Sequence, residues 1–174
     1  MDDATLIIEC VNGNPRAQRL LFDKFARKMF SVCLRYAKNE EQAEDVLQDG
    51  FVKVFGKLKD FKSEGSLEGW IRRIMVNTAL DQIRKNNKQL GDTNIDDVGY
   101  KIENNDFIVE SMMADDLMKM VQAMPDGYKV VFNMFAIEGY SHSEIADTLG
   151  ISENTSKSQY SRARAYLRER LEKN

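Results

Sequence analysis

An aromatic residue, an amide and several cations recur three or four positions apart between residues 70 and 85. On a helix, this spacing places side chains along one side. Trp70 could stack on an unpaired base, Asn77 could hydrogen-bond to a base edge, and the cations could follow a phosphate backbone. These cations are Arg73, Arg84 and Lys85. By itself the spacing is equally compatible with a core tryptophan beside an ordinary ion pair between Asp81 and Lys85.

A second candidate nucleic-acid surface lies near the end of the sequence, where the pattern predicts a helix-turn-helix. Ser141, followed three residues later by Glu144, forms a capping box for a short helix, and Gly150 permits a tight turn. Ser152 can then cap a longer, basic helix. In this motif the second helix enters the major groove, and DNA binding is favoured over a polar face without a ligand. The predicted base and phosphate contacts are Thr155, Lys157, Ser158, Ser161 and Arg162.

Helices must position both surfaces, and the sequence predicts helices almost throughout. The 174 residues are 43% hydrophobic, which is enough to build packed cores. Strict alternation over the length of a strand is hard to find, and the only prolines are Pro15 and Pro125. The predicted fold class is therefore all-α.

Apolar periodicity predicts two small helical domains joined by a flexible acidic linker. Residues 1–88 predict four helices with caps at Asp2 or Asp3, Asn14, Asn39 and Ser66. Two of these helices carry long apolar stripes, consisting of Ala17, Leu21, Phe25, Met29, Val32 and Tyr36, and of Ala43, Leu47, Phe51, Val54 and Leu58. Residues 89–106 lack useful periodicity and are interpreted as the linker. Residues 107–174 predict the domain with the helix-turn-helix, whose first helix is marked by Val109, Met113, Leu117, Val121 and Met124.

The net charge of -3 averages segments of opposite sign. Residues 72–90 carry five Lys or Arg against one Asp, and residues 153–174 carry six against three Glu. Residues 92–116, in contrast, hold eight acids and one lysine. Two basic segments that flank an acidic connector suggest two nucleic-acid contacts on one chain. Charge alone is equally compatible with solvated helix faces.

Composition argues against several other classes of protein. The beginning of the sequence is acidic where a secretory signal would be basic, and no apolar run approaches the roughly 18 residues that a bilayer requires. A cytoplasmic protein is therefore expected. Cys10 and Cys33 lack metal-ligand spacing, His142 is the only imidazole, and no phosphate-cradling glycine motif is present. No catalytic residue, metal ion or cofactor is predicted, although chemistry by paired carboxylates stays open as an alternative.

Three segments, taken in order, resemble the conserved blocks of the extracytoplasmic-function (ECF) subfamily of RNA polymerase sigma factors, within the sigma-70 family. Residues 45–55 resemble the block on the helix that docks on the clamp helices of the largest polymerase subunit. Residues 70–85 resemble the promoter-melting block, with the pattern W-(I/L)-x-x-I-x-x-N-x-x-x-D-x-(I/L)-R-K. Residues 140–171 resemble the final block, which contains the helix-turn-helix. The resemblance implies a transcription initiation factor that is not an enzyme.

The same resemblance implies partners and site residues. Core RNA polymerase would be bound through its clamp helices and through the flap region of its second-largest subunit, with clamp contacts from Asp45, Gln48, Asp49 and Phe51. Residues 1–88 would recognise and melt the minus-ten element of the promoter, and the loop at 59–66 would shape a pocket for a flipped base. The implied minus-ten contacts are Phe61, Ser66, Trp70, Arg73, Asn77, Arg84 and Lys85. Residues 107–174 would read the minus-thirty-five element as duplex.

The resemblance also implies control by an anti-sigma protein and no small-molecule substrate. The acidic linker is expected to repel DNA from the free protein. Ser156 departs from the family pattern, which usually has Val there, and is expected to soften packing by burying a hydroxyl. Gln159 and Ser161 replace residues that are often basic or bulky, so the preferred minus-thirty-five sequence does not carry over.

One alternative class remains open. A two-domain transcription regulator, whose first helices bind an effector or dimerise, would also contain the helix-turn-helix. That class gives no reason for the acidic helix at residues 40–58 or for the surface at residues 70–85. A palindromic footprint made by the protein alone would support it.

Overall fold

A computed structural model of the chain describes residues 1–86 and 114–173. In these ranges the regular elements are helices: α1 Asp3–Val11, α2 Pro15–Tyr36, α3 Glu40–Lys57, α4 Leu67–Asn86, α5 Ala114–Ala123, α6 Asp126–Phe132, α7 His142–Leu149 and α8 Glu153–Glu172. The chain divides into two compact units, Met1–Gln82 and Ile83–Asn174. The all-α prediction is confirmed. The segment interpreted as the linker, 89–106, lies outside the described residues, as do Val109 and Met113.

Each helix of the first unit begins at the residue that the sequence predicts. The first backbone N–H groups of a helix lack partners within it, so a side-chain oxygen at the N-cap stabilises the start. Each cap here accepts a hydrogen bond from a backbone N–H of the first turn at 2.8 to 3.0 Å. The caps are Asp2, Asn14, Asn39 and Ser66.

The predicted apolar stripes of α2 and α3 are buried and form much of the first unit's core. All six stripe residues of α2 are buried, as are the four of α3 and Leu58, which follows in a short 3-10 turn. α4 adds Ile71, Met75, Val76 and Leu80. The periodicity of three and four residues therefore predicted correctly which side of each helix faces the core.

Gly50 on α3 lies against the fully buried side chain of Met75 on α4, and we expect Gly50→Ala to destabilise the first unit. A Cβ at this position would lie only 2.8 Å from Cε of Met75 and even closer to its sulfur. Overpacking of a filled core costs about 1–3 kcal/mol, which exceeds the gain of up to about 1 kcal/mol from replacing a helical glycine by alanine. We expect a net loss of about 1 kcal/mol in the free energy of unfolding, measured by urea denaturation.

Gly56 provides the matched control, because it lies on the same helix and a Cβ there would meet nothing within 4 Å. Gly56→Ala should raise the unfolding free energy by about 0.5–1 kcal/mol through helix propensity alone. Equal stabilisation by both substitutions would show that Gly50 is not needed for the close approach of α3 and α4.

In the second unit, α5, α6 and α8 enclose an apolar cluster of Val121, Met124, Phe132, Ala163 and Leu167. A π-helical turn at Asn133–Ile137 follows α6 directly. The apolar residues Tyr128, Val131, Phe132 and Phe135 predict one helix that ends near Gly139, since apolar spacing does not distinguish a wider turn. This turn carries Phe135, which contacts the helix-turn-helix.

The predicted helix-turn-helix is present in the second unit. Ser141 and Glu144 form the expected reciprocal capping box at the start of α7, with distances of 3.1 and 3.3 Å. Gly150 ends α7 with a φ of 69°, a left-handed conformation that favours glycine. Ser152 then caps α8 by accepting a hydrogen bond from the backbone N–H of Thr155 at 3.0 Å.

Among the helices in the described ranges, none is long and apolar enough to cross a membrane.

Candidate nucleic-acid interfaces

One side of α4 carries the cations and the amide that the sequence assigned to an unpaired strand. Arg73 and Asn77 are exposed one turn apart, while Ile71 and Met75 on the opposite side are buried. Arg84 and Lys85 are exposed in the last turn of the helix. Trp70 is only partly buried, so it is not a fully enclosed core residue. The helix therefore offers an aromatic edge, an amide and cations on one accessible face.

The loop before α4 places a second aromatic ring beside Trp70. The rings of Phe61 and Trp70 have centroids 5.3 Å apart and are tilted by 53°, within the range of favourable aromatic pairs. Ser63 and Gly65 have φ values of 58° and 89°, which turn the loop back toward the helix. Ser66 is exposed, and its hydroxyl caps α4 by accepting a hydrogen bond from Gly69. Ser66 thus fixes the junction between loop and helix.

A separate acidic face lies on α3. Asp45, Gln48 and Asp49 are exposed, and their spacing of three and four residues places them on one side of the helix. Phe51 is not part of this face, because it is only 3% exposed and packs on Phe22 with ring centroids 4.8 Å apart. Direct contact of the Phe51 ring with a partner does not fit this burial. The aromatic ring instead supports the helix from inside the unit.

Val52 is a candidate contact that the sequence reasoning missed. It is 72% exposed, the most exposed of the large hydrophobic residues in the described part of the chain. It lies four residues after Gln48 and seven after Asp45, so it is on the acidic face. The signal was available in the sequence, since Val52 falls outside the apolar stripe of α3. We define the α3 face as Asp45, Gln48, Asp49 and Val52.

The residues assigned to duplex recognition lie on the side of α8 away from Ala163 and Leu167. Lys157 is exposed, whereas Ser158 and Arg162 are partly buried. Thr155 belongs to the helix cap, because its hydroxyl accepts a hydrogen bond from Ser152 at 2.8 Å. Among the residues assigned to duplex recognition, Lys157 is therefore the most exposed.

The expectation that Ser161 projects freely is wrong for this conformation, since its side chain is only 7% exposed. Helical spacing places Lys157 four residues before it and Arg164 three residues after it on the same side of α8. Arg164 is itself only 8% exposed, so this part of the surface of α8 is covered and Ser161 is buried with it. Lys157, one turn before Ser161, is exposed.

Ser156 is buried as expected, but its hydroxyl has a partner. Its Oγ lies 2.7 Å from Nδ1 of His142, the first residue of α7. A buried hydroxyl with a hydrogen bond avoids most of the cost of burying an unpaired one. The departure from the family pattern at Ser156 is therefore accommodated by the one histidine of the sequence.

Two helical units, one with an aromatic, amide and cation face and the other with a helix-turn-helix, define a two-domain protein of nucleic-acid binding type. Residues 21–89 match the family model described as Sigma-70 region 2, and residues 114–167 match that of Sigma-70, region 4. The chain therefore belongs to the sigma-70 family of RNA polymerase sigma factors, in its ECF subfamily. Its relatives are transcription initiation factors rather than catalysts.

Curated relatives resemble the chain over most of its length. It is 29% identical over 157 residues to the ECF RNA polymerase sigma factor SigE of Mycolicibacterium smegmatis, covering 88% of this chain and 61% of that protein. It is 28% identical over 165 residues to the ECF sigma factor SigM of Mycobacterium tuberculosis, covering 95% of this chain and 82% of that protein. Among solved structures, the sigma factor RpoE of Bartonella quintana, in complex with the anti-sigma factor NepR, has a similar fold. Its TM-score is 0.57 at 23% identity, over 88% of this chain and 96% of that one.

Proposed function

We propose that this protein binds core RNA polymerase and directs it to promoters that it recognises by their minus-ten and minus-thirty-five elements. The observation that carries the proposal is that each matched sigma-70 region overlaps one of the two helical units and contains a candidate nucleic-acid surface. Residues 1–88 would act on the minus-ten element, residues 107–174 on the minus-thirty-five element, and residues 89–106 would link them. The protein would act in the cytoplasm without catalysing a reaction, because phosphodiester synthesis belongs to the polymerase.

Core binding would use the α3 face. Its carboxylates suit a cationic partner surface, and Val52 would place an apolar contact among them, as is common in interfaces with a desolvated centre. We assign this face to the clamp helices of the largest polymerase subunit. Phe51 would contribute by holding α3 in place from the core. A second contact, to the flap region of the second-largest subunit, would involve the second unit.

The minus-ten element would be bound as an unpaired strand on α4. The pair formed by Phe61 and Trp70 provides aromatic surface for stacking, and Asn77 lies on the same face to hydrogen-bond with a base edge. Arg73 and the cations of the last turn would follow the phosphates. Extruding a base from the duplex costs a few kcal/mol, which such contacts can offset.

The minus-thirty-five element would be bound as duplex by the first turns of α8, with Lys157 on a phosphate. We expect Lys157→Ala to weaken binding of the holoenzyme to many promoters about equally, because a phosphate contact carries no sequence information. Loss of one phosphate contact should reduce the slope of log affinity against log salt by about 1. Filter binding of promoter DNA at several salt concentrations measures this slope.

The matched control is Lys173→Ala, which removes an exposed lysine from the end of α8, far along the helix from its first turns. This substitution should leave the salt slope unchanged. A Lys157→Ala slope equal to that of the wild type would argue that Lys157 does not contact phosphate.

Control by an anti-sigma protein is part of the proposal. Support comes from the Bartonella quintana relative of similar fold, whose solved structure contains an anti-sigma factor. An inhibitor of this kind would cover surfaces that the polymerase needs. The α3 face, with its exposed valine among carboxylates, is one such surface in the first unit.

Size-exclusion chromatography of the purified chain with bacterial core RNA polymerase tests the proposal without knowledge of a promoter. Co-elution, followed by transcription from a library of promoter sequences only when the chain is present, is the expected result. A chain that fails to bind active core, and instead produces a palindromic DNA footprint alone, would identify a stand-alone regulator.

A further inference from the structure

The one histidine of the sequence joins the two helices of the helix-turn-helix. His142 begins α7, and its Nδ1 is 2.7 Å from Oγ of Ser156, the fourth residue of α8. Ser156 is fully buried, so water does not readily replace this hydrogen bond. Neither residue was assigned to DNA or to polymerase. Ser156 nevertheless directly precedes Lys157 and Ser158, so the pair lies at the same turn of α8 as both of them.

Two aromatic rings hold the imidazole in one orientation. Phe135, on the π-helical turn, stacks on His142 with centroids 4.2 Å apart and planes 12° apart. Tyr160, one turn beyond Ser156 on α8, meets the ring edge-on at 6.0 Å and 61°. Phe135 and Tyr160 also contact each other at 4.6 Å. The ring cannot turn away from Ser156 without disturbing these contacts.

The surroundings of His142 oppose its protonation. Partial burial lowers its pKa below the ordinary value of 6.5, and the positive charge of Lys157 lowers it further, while Glu153 acts in the opposite direction. The imidazole also lies at the positive end of the α7 helix dipole, which disfavours a cation. Tyr160 and Phe135 face it as rings, and Glu144 on its own helix is engaged in the capping box. The neutral ring is therefore the form that fits this site.

We propose that His142 and Ser156 form a positioning pair that fixes the first turns of α8 on α7 and makes recognition of the minus-thirty-five duplex sensitive to protonation. This inference rests on the proposed function of α8 as the duplex-reading helix. A charged imidazole donates from both nitrogens, so Ser156 must then accept and its own proton needs another acceptor. Because Lys157 and Ser158 follow Ser156 directly, a shift of this turn moves both of them.

The direction of the pH effect follows from the lowered pKa. Above pH 6.5 the ring is neutral in the folded and unfolded chain, and the stability that the pair contributes is fully present. As the pH falls below 6.5, the unfolded chain takes up the proton first. The contribution is lost as the pH falls toward and through the lowered pKa of the folded protein.

The experiment compares the wild type with Ser156→Ala and Ser156→Val, which remove the hydroxyl, with His142→Gln, and with His142→Gln combined with Ser156→Ala. Ser143→Ala is the matched control, because it removes an exposed hydroxyl from the same helix, α7. The first readout is the NMR titration of the single imidazole in the full chain. The second is the ratio of transcription by the holoenzyme from two promoters, one with an intact and one with a scrambled minus-thirty-five element, at pH 7.5 and at the pH where the NMR titration shows the imidazole to be half protonated.

We expect the wild-type imidazole to titrate below pH 6.5, with 15N shifts of Nδ1 that change in both Ser156 variants and stay unchanged in Ser143→Ala. The wild-type transcription ratio should fall between pH 7.5 and the midpoint of that titration. Ser156→Ala should lower the ratio about twofold to tenfold at pH 7.5, the range for one hydrogen bond, and leave little further dependence on pH. The double variant should lose no more than Ser156→Ala.

Two results would overturn the inference. Additive losses in the double variant would show that the two residues act independently, and a pH-independent wild-type ratio would show that protonation does not reach α8. If the holoenzyme shows no dependence on any minus-thirty-five element, the proposed function of α8 fails. The NMR titration still reports on the His142–Ser156 bond in that case, so the two failures are distinguishable.

Discussion

Asp45→Arg is expected to weaken binding of the protein to core RNA polymerase strongly, so that co-elution is lost at concentrations just sufficient to bind the wild type. Asp45 is exposed on the α3 face, beside Gln48 and Val52, so the substitution places a cation where the proposed partner surface is cationic. Reversing one charge of a close interfacial pair costs about 2 kcal/mol or more, which corresponds to a loss of roughly thirtyfold in affinity. Fluorescence anisotropy with labelled core polymerase measures the dissociation constant.

The control for Asp45→Arg is Asp23→Arg, which reverses an exposed carboxylate on α2. Asp23 lies 3.6 Å from Arg19 in a solvent-exposed ion pair, so its reversal should cost little stability. Val52→Ala on the α3 face should weaken binding without any change of charge. Equal affinity of Asp45→Arg and Asp23→Arg for the polymerase would exclude the α3 face as the docking surface.

Phe51 and Asp45 lie on the same helix, but we expect Phe51 to stabilise the fold and Asp45 to contact the polymerase. Because its ring is buried against Phe22, Phe51→Ala should lower the free energy of unfolding by about 3–5 kcal/mol, the usual cost of removing a buried aromatic ring. Any loss of polymerase binding by this variant would then follow from loss of structure. Asp45→Arg, in contrast, should leave the unfolding free energy nearly unchanged, since Asp45 is exposed.

The helices were predictable from the sequence because their starts and their buried sides depend on local rules. The caps at Asn14, Asn39 and Ser141 need only a short polar side chain before an apolar stripe, and the structure has each of them. The π-helical turn at Asn133–Ile137 was not predictable in this way. A wider turn keeps the same apolar residues and is selected by packing between elements, here by the contact of Phe135 with α7 and α8.

The candidate sites were predictable where exposure follows from periodicity alone. Asp45 and Asn77 lie opposite buried stripes, and both are exposed. The expectation for Ser161 was wrong because periodicity identifies the side of a helix but not which part of that side is covered in the folded chain, and Arg164 on the same side is buried as well. The partner of Ser156 also could not be predicted, because His142 is 14 residues away and meets it only through the packing of two helices. Long-range pairs of this kind depend on tertiary structure.

Trp70→Ala is expected to reduce opening of promoter DNA by the holoenzyme while leaving its affinity for core polymerase unchanged. The indole is partly exposed beside Phe61 and lies on α4, not on the α3 face. Stacking of one unpaired base on an aromatic ring contributes about 1–3 kcal/mol, so open complexes should decrease by roughly fivefold to a hundredfold. Permanganate reactivity of unpaired thymines in the minus-ten element measures the open fraction.

A promoter with a preformed bubble at the minus-ten element distinguishes melting from simple loss of contact. If Trp70 acts mainly by holding bases that have left the stack, the preformed bubble should restore part of the open complex, because the cost of unpairing is already removed. Trp70→Phe keeps an aromatic face and should retain most of the activity, whereas Asn77→Ala should change which base is preferred. Full activity of Trp70→Ala on duplex promoters would show that the indole does not take part in melting and that its role is to pack against Phe61.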